Sequence, residues 1–314
     1  MNVIYLLVGI GLLTLGGEAL IRGALGIARK LNVSPVLTGL VIVGFGTSMP
    51  ELVVSLDAVL SGQPDIAVGN VVGSNIGNIL LILGLCALIT PLVTTTSVLR
   101  RDATMMLIAS ALFMLLVAGG ELLRWHGFLF LSTLGAYLCW AYLSERKLVA
   151  ATTAPLSVQE ASEIQAVPGA GKSVVYLLIG LTLLIVGARV LLLGAVALAQ
   201  AFGVSEAVIG LTVVAVGTSL PELTVSIIAA IRRHADVAVG NIIGSNIFNL
   251  LGILGVATAA SPLMVSPRVI AFDQWFMLGA SVVLVGFLLT GKRLSRLEGC
   301  VLLAAYVTYI WLSF

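Results

Sequence analysis

Glu51 and Glu222 stand midway along apolar runs at 36–60 and 207–231, inside the near-identical segments GTSMPELVVS (46–55) and GTSLPELTVS (217–226). A carboxylate at the centre of a bilayer costs at least ~2.5 kcal/mol on insertion scales, so it needs a partner. No Lys or Arg lies within ten residues of Glu51, and Arg232 comes only at the far end of the run that holds Glu222. The expected partner is therefore a mobile cation or a proton. Thr47, Ser48, Glu51 and Ser55 fall at i, i+1, i+4 and i+8, which puts their oxygens on one side of a helix. Pro50 cannot donate the bond that the Gly46 carbonyl would accept, so carbonyls around Gly44–Thr47 are expected to be freed. Thr218, Ser219, Pro221, Glu222 and Ser226 repeat the arrangement. Carboxylate, hydroxyl and carbonyl oxygens are the ligands of hard cations such as Ca²⁺ and Na⁺, and no His or Cys here favours a transition metal.

The next apolar run in each case adds oxygen. Ser74 and Asn78 are four apart on one helix face, and Ser245 and Asn249 repeat them. Gly69 and Gly73, like Gly240 and Gly244, form GxxxG pairs that let helix backbones approach. Asn70, Asn75, Asn241 and Asn246 are expected to bond helix ends and broken backbone. Asp65 and Asp236 read as helix caps, and Glu18 with Arg22 as an i,i+4 pair. Asp57 could attract cations at an outer mouth; its counterpart is Ile228. Arg189 has no evident role. His126 and His234 sit at span ends and cannot form a buried catalytic dyad. Cys86, Cys139 and Cys300 lie alone in apolar runs as small hydrophobes.

The elements that position these residues follow from composition. Of 314 residues 60% are hydrophobic and 10% charged, with a mean hydropathy of +1.17. About 25% charge is usual for a soluble domain, so a cytoplasmic enzyme, a nucleic-acid binder and a disordered scaffold are excluded. Apolar runs at about 3–22, 36–60, 66–90, 104–120, 127–143, 174–201, 207–231, 237–260, 269–290 and 297–313 give ten candidate helices. Their continuity excludes a membrane β-barrel. The fold expected is all-α and polytopic. The polar stretch 144–173 reads as a flexible linker between a first five-helix unit, 1–143, and a second, 174–314. The N-terminal run lacks a basic n-region and a cleavage site, so it reads as a retained helix.

A shift of 171 residues superposes the two halves. Between Gly39 and Gly84, 26 of 46 positions match their partners without a gap, Thr, Ser, Pro, Glu, Asp and Asn among them. With five spans in each half, the halves enter the membrane from opposite sides, the inverted-repeat architecture of secondary transporters, with a binding site near the midplane. If the N-terminus is outside, the inner loops hold twelve basic residues and the outer loops only Arg124 and Arg268. Both termini are therefore expected outside a cell membrane and the linker in the cytoplasm.

The paired GTS(M/L)PE and GN(V/I)(V/I)GSNI(G/F)N segments resemble the two alpha repeats of the calcium/cation antiporter superfamily, whose best-known members are sodium/calcium exchangers. The resemblance spans nearly the whole chain. It implies exchange of Ca²⁺ for Na⁺ by alternating access, with helices one and six sliding over the rest and no cofactor, catalytic residue or obligate protein partner. It implies Glu51 and Glu222 as the acids that bridge the divalent ion, and Thr47, Ser48, Thr218 and Ser219 as hydroxyl and carbonyl ligands. Ser74 and Ser245, with carbonyls at Gly44 and Ala215, match flanking Na⁺ sites, and Asn78 and Asn249 the central polar pair. Some relatives, potassium-dependent ones among them, carry Asp where this chain has Asn249, which argues against potassium dependence. The linker is too short for regulatory Ca²⁺-binding domains. A Ca²⁺/H⁺ antiporter, using the same acids, is the alternative within transport; a cation channel is a further class.

The charge asymmetry predicts that a reporter active only in the cytoplasm works when inserted near Ala161 and fails when fused after Phe314. The reverse pattern would exchange the inner and outer mouths.

Overall fold

Backbone polar groups have no water to bond inside a bilayer, so a chain this apolar must satisfy them within helices. The structure, a computed structural model, describes residues 2–31, 35–94, 98–151, 170–201 and 215–313. It is built of helices α1 (Asn2–Leu31), α2 (Gly39–Thr47), α3 (Met49–Leu60), α4 (Pro64–Ile89), α5 (Thr104–Val117) and α6 (Arg124–Ala151). They are followed by α7 (Ala170–Ala201), α8 (Ala215–Thr218), α9 (Leu220–Ile231), α10 (Ala235–Ala260), α11 (Gln274–Gly291) and α12 (Arg296–Ser313). Among the described residues, six helices are long and apolar enough to cross a bilayer, and α2 with α3, bent by 47°, makes a seventh. Most of the linker lies outside the described residues, but α6 and α7 each run several residues into 144–173.

The bend has the cause expected from Pro50. Ser48 leaves helical geometry at φ −83°, ψ 8°, and Pro50 enters the first turn of α3, where a missing N–H costs nothing. Ser219 repeats this at φ −87°, ψ 9° with Pro221 in α9. A feature that periodicity does not reveal is the π-helical turn. One covers Asn78–Leu83 in α4 and another Phe248–Ile253 in α10, so each sits against the Asn78 or Asn249 position. Two more, Val98–Ala103 and Val269–Asp273, lead into α5 and α11. Such wide turns cluster where function needs a displaced side chain.

α4 and α10 form the centre. Their most apolar windows are 67% and 89% buried, against 28–39% for the other long spans, so polar side chains on them face protein rather than lipid. Gly244 lets α10 lie directly on α2, where an added Cβ would collide with the Leu40 carbonyl. Leu211, which the repeat pairs with Leu40, lies outside the described residues. Asp65 and Asp236 are in the first turns of α4 and α10, but Gln63 and His234 occupy the cap positions and no side chain bonds there. The acids complement the helix dipole without capping.

α1 and α7 pack together along most of their length. Gly9 meets Leu191, Gly16 meets Leu184 and Gly23 meets Leu177, so the pair runs antiparallel. A Cβ on Gly180 would sit 2.5 Å from the Leu20 nitrogen and one on Gly23 2.6 Å from the Leu177 nitrogen. The two backbones touch, and only glycine fits.

Two short antiparallel strand pairs tie the loops. β1 (Leu92–Val93) pairs with β4 (Arg293–Leu294), with Leu92 opposite Leu294; β2 (Glu121–Leu122) pairs with β3 (Leu263–Met264), with Leu122 opposite Leu263. The pairing puts the loop before Arg100 and Arg101 beside that of Lys292 and Arg293, the grouping that the basic residues predict.

Burial of charge fixes α5 against α6. Arg101 and Asp102 are buried side by side, Nε to Oδ1 2.5 Å, and the Tyr137 hydroxyl donates to Asp102 Oδ1 at 2.9 Å. In the second half Arg268 pairs with Asp273 at 3.4 Å, and Tyr309 donates to it at 3.1 Å, but Arg268 is about half exposed. Removing one partner of a buried pair leaves the other charge uncompensated, at ~3–5 kcal/mol. Asp102→Ala is therefore expected to lower the melting temperature of the detergent-solubilised protein much more than Asp273→Ala. Equal losses would show that the burial of Arg101 carries no such penalty.

Candidate cation site

The bent helices aim the two acids inward. Glu51 and Glu222 lie in the first turns of α3 and α9, each 1% exposed. Each is held by the opposite half. The Ser48 hydroxyl donates to Glu222 Oε1 at 2.8 Å, and the Ser219 hydroxyl donates to Glu51 Oε1 at 3.1 Å. Thr47 also lies against Glu222 and Thr218 against Glu51. The carboxylates are near enough to interact electrostatically with each other. Sequence spacing puts Ser48 and Glu51 on one side of a helix; it does not reveal that Ser48 serves the other acid.

The asparagines do what their positions in the motif suggest. Asn70 Nδ2 donates to the Ser55 hydroxyl at 3.0 Å and to the Glu51 carbonyl at 3.3 Å. Asn241 repeats this on Ser226 at 2.9 Å and the Glu222 carbonyl at 3.4 Å, and accepts from Thr47 at 3.2 Å. Asn75 and Asn246 donate to each other's backbone carbonyls at 3.2 and 3.3 Å, joining α4 to α10. Their own side-chain oxygens accept from Asn249 Nδ2 at 3.1 Å and Asn78 Nδ2 at 3.0 Å.

That last pair of bonds decides the polarity of the site. With their N–H groups engaged, Asn78 and Asn249 present only Oδ1. Six buried side-chain oxygens lack a donor among the described residues, and four are Glu51 Oε2, Glu222 Oε2, Asn78 Oδ1 and Asn249 Oδ1. Each such acceptor costs about 1–3 kcal/mol while unsatisfied, more for a charged group. Two carboxylate and two amide oxygens suit a hard cation and no anion. Among the described residues no three His, Cys, Asp or Glu side chains cluster, so a transition-metal centre is not built here.

The flanking residues join this centre on two sides. Ser245 donates to the Gly44 carbonyl at 3.2 Å, so these two oxygens are adjacent. Ser219 lies 3.4 Å from the Ser74 hydroxyl. Ala215 begins α8, one turn before Thr218. Glu18 bonds Arg22, as i,i+4 spacing predicts, and also Arg232, which follows the last residue of α9. Cys86 is buried and Cys139 and Cys300 are exposed, without disulfides.

Comparison with known proteins agrees with this geometry. The family model described as "Sodium/calcium exchanger protein" matches residues 1–143 and 172–314. The chain is 39% identical over 315 residues to the putative antiporter CaxA of Alkalimonas amylolytica, covering 99% of this chain and 98% of that one. It is 33% identical to the sodium/calcium exchanger MaX1 of Methanosarcina acetivorans, with 100% and 98% covered. A solved structure of the sodium-calcium exchanger NCX_Mj superposes with a TM-score of 0.84 at 31% identity, covering 98% of this chain and 97% of that one.

The reciprocal serine bonds predict matched losses. Ser48→Ala and Ser219→Ala should each raise the cation concentration that half-saturates thermal stabilisation by roughly ten- to hundredfold, the worth of one hydrogen bond to a charged group. A loss confined to one of them would break the equivalence of the two acids.

Proposed function

Because the chain belongs to the sodium/calcium exchanger family, whose members are cation antiporters and not enzymes, we propose that it exchanges Ca²⁺ for Na⁺ across a cell membrane by alternating access. The single observation that carries this reading is the set of four donorless oxygens on Glu51, Glu222, Asn78 and Asn249. Two carboxylates give the centre a formal charge of −2, which one Ca²⁺ or two Na⁺ would neutralise. Their like charges repel at close range in a low-dielectric interior, so the centre favours occupancy, and ions that compete for it exchange. Thr47, Ser48, Thr218 and Ser219 complete the shell around the acids. Ser245 with the Gly44 carbonyl, and Ser74 with that of Ala215, form flanking Na⁺ positions.

The layout follows from the repeat. Counting α2–α3 and α8–α9 as one broken span each gives ten spans, five per half. The 171-residue equivalence of the bonds made by Ser48 and Ser219, Asn70 and Asn241, and Asn75 and Asn246 supports two inverted five-helix repeats, 1–143 and 174–314, around a midplane site. Both termini then lie outside and the linker 144–173 in the cytoplasm.

⁴⁵Ca²⁺ uptake into proteoliposomes tests the proposal. An outward Na⁺ gradient should drive uptake without K⁺, because position 249 is Asn and not Asp. Glu51→Gln and Glu222→Gln, each leaving one charge against a divalent ion, should abolish it while remaining monodisperse. Normal exchange by either mutant would overturn the two-carboxylate mechanism. Uptake driven only by a pH gradient would replace Na⁺ with H⁺.

A further inference from the structure

The two halves are equivalent in sequence, but the structure does not treat them equally. Position 18 of α1 is Glu18, and the 171 shift places Arg189 of α7 opposite it. Ile228 of α9 corresponds to Asp57 of α3. At one end of the molecule α1 is closed against α9: a Cβ on Gly17 would lie 2.6 Å from Ile228 Cδ1 and 3.4 Å from Thr224 Cγ2, and Arg232 Nη2 bonds Glu18 Oε2 at 3.1 Å. At the other end the equivalent helices, α7 and α3, stand apart. Val53, the counterpart of Thr224, is 58% exposed, and Asp57 and Arg189 are both exposed. Among the described residues neither of those charges has an ion-pair partner.

Opposite charges left in an otherwise apolar pair of spans are costly unless water reaches them or they meet. We infer that Asp57 and Arg189 form the second of two alternating ion-pair gates, open here, whose closure accompanies the parting of Glu18 from Arg232. The pseudo-symmetry supplies the geometry. Glu18 meets Arg232 at the C-terminal end of α9, and the same packing of α7 on α3 would bring Arg189 to the C-terminal part of α3. There Ser61 replaces Arg232, and Asp57 lies one turn before it, about 6 Å away along the helix, within reach of an arginine side chain. The sign of each partner is exchanged, so neither gate can pair with the residues of the other's helix face. Such exposed pairs are weak, which suits gates that must open in every cycle. The inference rests on the antiporter reading and assigns a positioning role to Asp57 and Arg189.

Cysteine pairs test it in a background carrying Cys139→Ala and Cys300→Ala, with buried Cys86 retained. Asp57→Cys with Arg189→Cys, and Glu18→Cys with Arg232→Cys, are treated with Hg²⁺ in Na⁺, in Ca²⁺ and in neither, and bridging is read by mass spectrometry on monodisperse protein. Both pairs should bridge, but never in the same molecule when all four cysteines are present. Absence of a 57–189 bridge in every condition, or both bridges in one molecule, overturns the inference. The charge exchange Asp57→Arg with Arg189→Asp adds a functional arm. Either single substitution should slow exchange roughly fivefold, the scale of a modest coupling, and the double variant should restore it. A double variant no better than the singles counts against the gate. Bridging does not depend on which ions are carried, so failure of ⁴⁵Ca²⁺ exchange in the unmodified protein would overturn the Ca²⁺/Na⁺ reading and leave the bridging result standing.

Discussion

Two buried carboxylates are held close together, and each takes its hydroxyl donor from the other half of the chain. Ser48 serves Glu222 and Ser219 serves Glu51. This crossed arrangement makes the site a property of the whole molecule. Neither central carboxylate takes its serine hydroxyl from its own half, so the halves must dock for either acid to be fully held. Docking is enforced from outside the acids by Asn75 and Asn246, whose mutual backbone bonds lock α4 to α10. Those bonds also orient Asn78 and Asn249 with their oxygens free. The polarity of the centre is thus set one layer away from it.

Much of this was legible in the sequence, because burying polar residues in a bilayer is expensive enough to leave a clear mark. Glu51, Glu222 and their Ser, Thr and Asn neighbours stand out against apolar runs, and the gapless repeat pairs them. The breaks at Ser48 and Ser219 follow from Pro50 and Pro221. What the sequence hid depends on contacts between distant segments. Periodicity gives the face a serine occupies, but not that it reaches across to the other half. The π-helical turns at Asn78–Leu83 and Phe248–Ile253 leave no compositional trace, since they change the winding and not the residue types. Asp65 and Asp236 read as caps because acids favour helix starts, yet the preceding residues, Gln63 and His234, take that position.

Around the centre the two halves have diverged where the demands on them differ. Asp102 and Asp273 are equivalent and each accepts a tyrosine hydroxyl, but the first is paired with a buried arginine and the second with a half-exposed one. The central motif cannot drift in this way, because a change in one acid or its serine is felt at once by the opposite half. Peripheral pairs need only hold α5 to α6 and α11 to α12. They can be rebuilt with an arginine from a different position, Arg101 in one case and Arg268 in the other.

Pseudo-symmetry also explains why a single static arrangement can carry information about another. If both halves were packed identically, the centre would be equally closed or equally open toward both ends. Instead α1 lies on α9 through Gly17 and Ile228, while the equivalent face of α3 is exposed at Val53 and Asp57. The chain therefore already displays, in its two halves, two ways of packing one long helix against one short one. Backbone contact at Gly16 and Gly180 ties α1 and α7 to each other, so this pair can shift as a unit. Moving it would exchange the two packings while the crossed serine–carboxylate bonds, borne on other helices, stay in place.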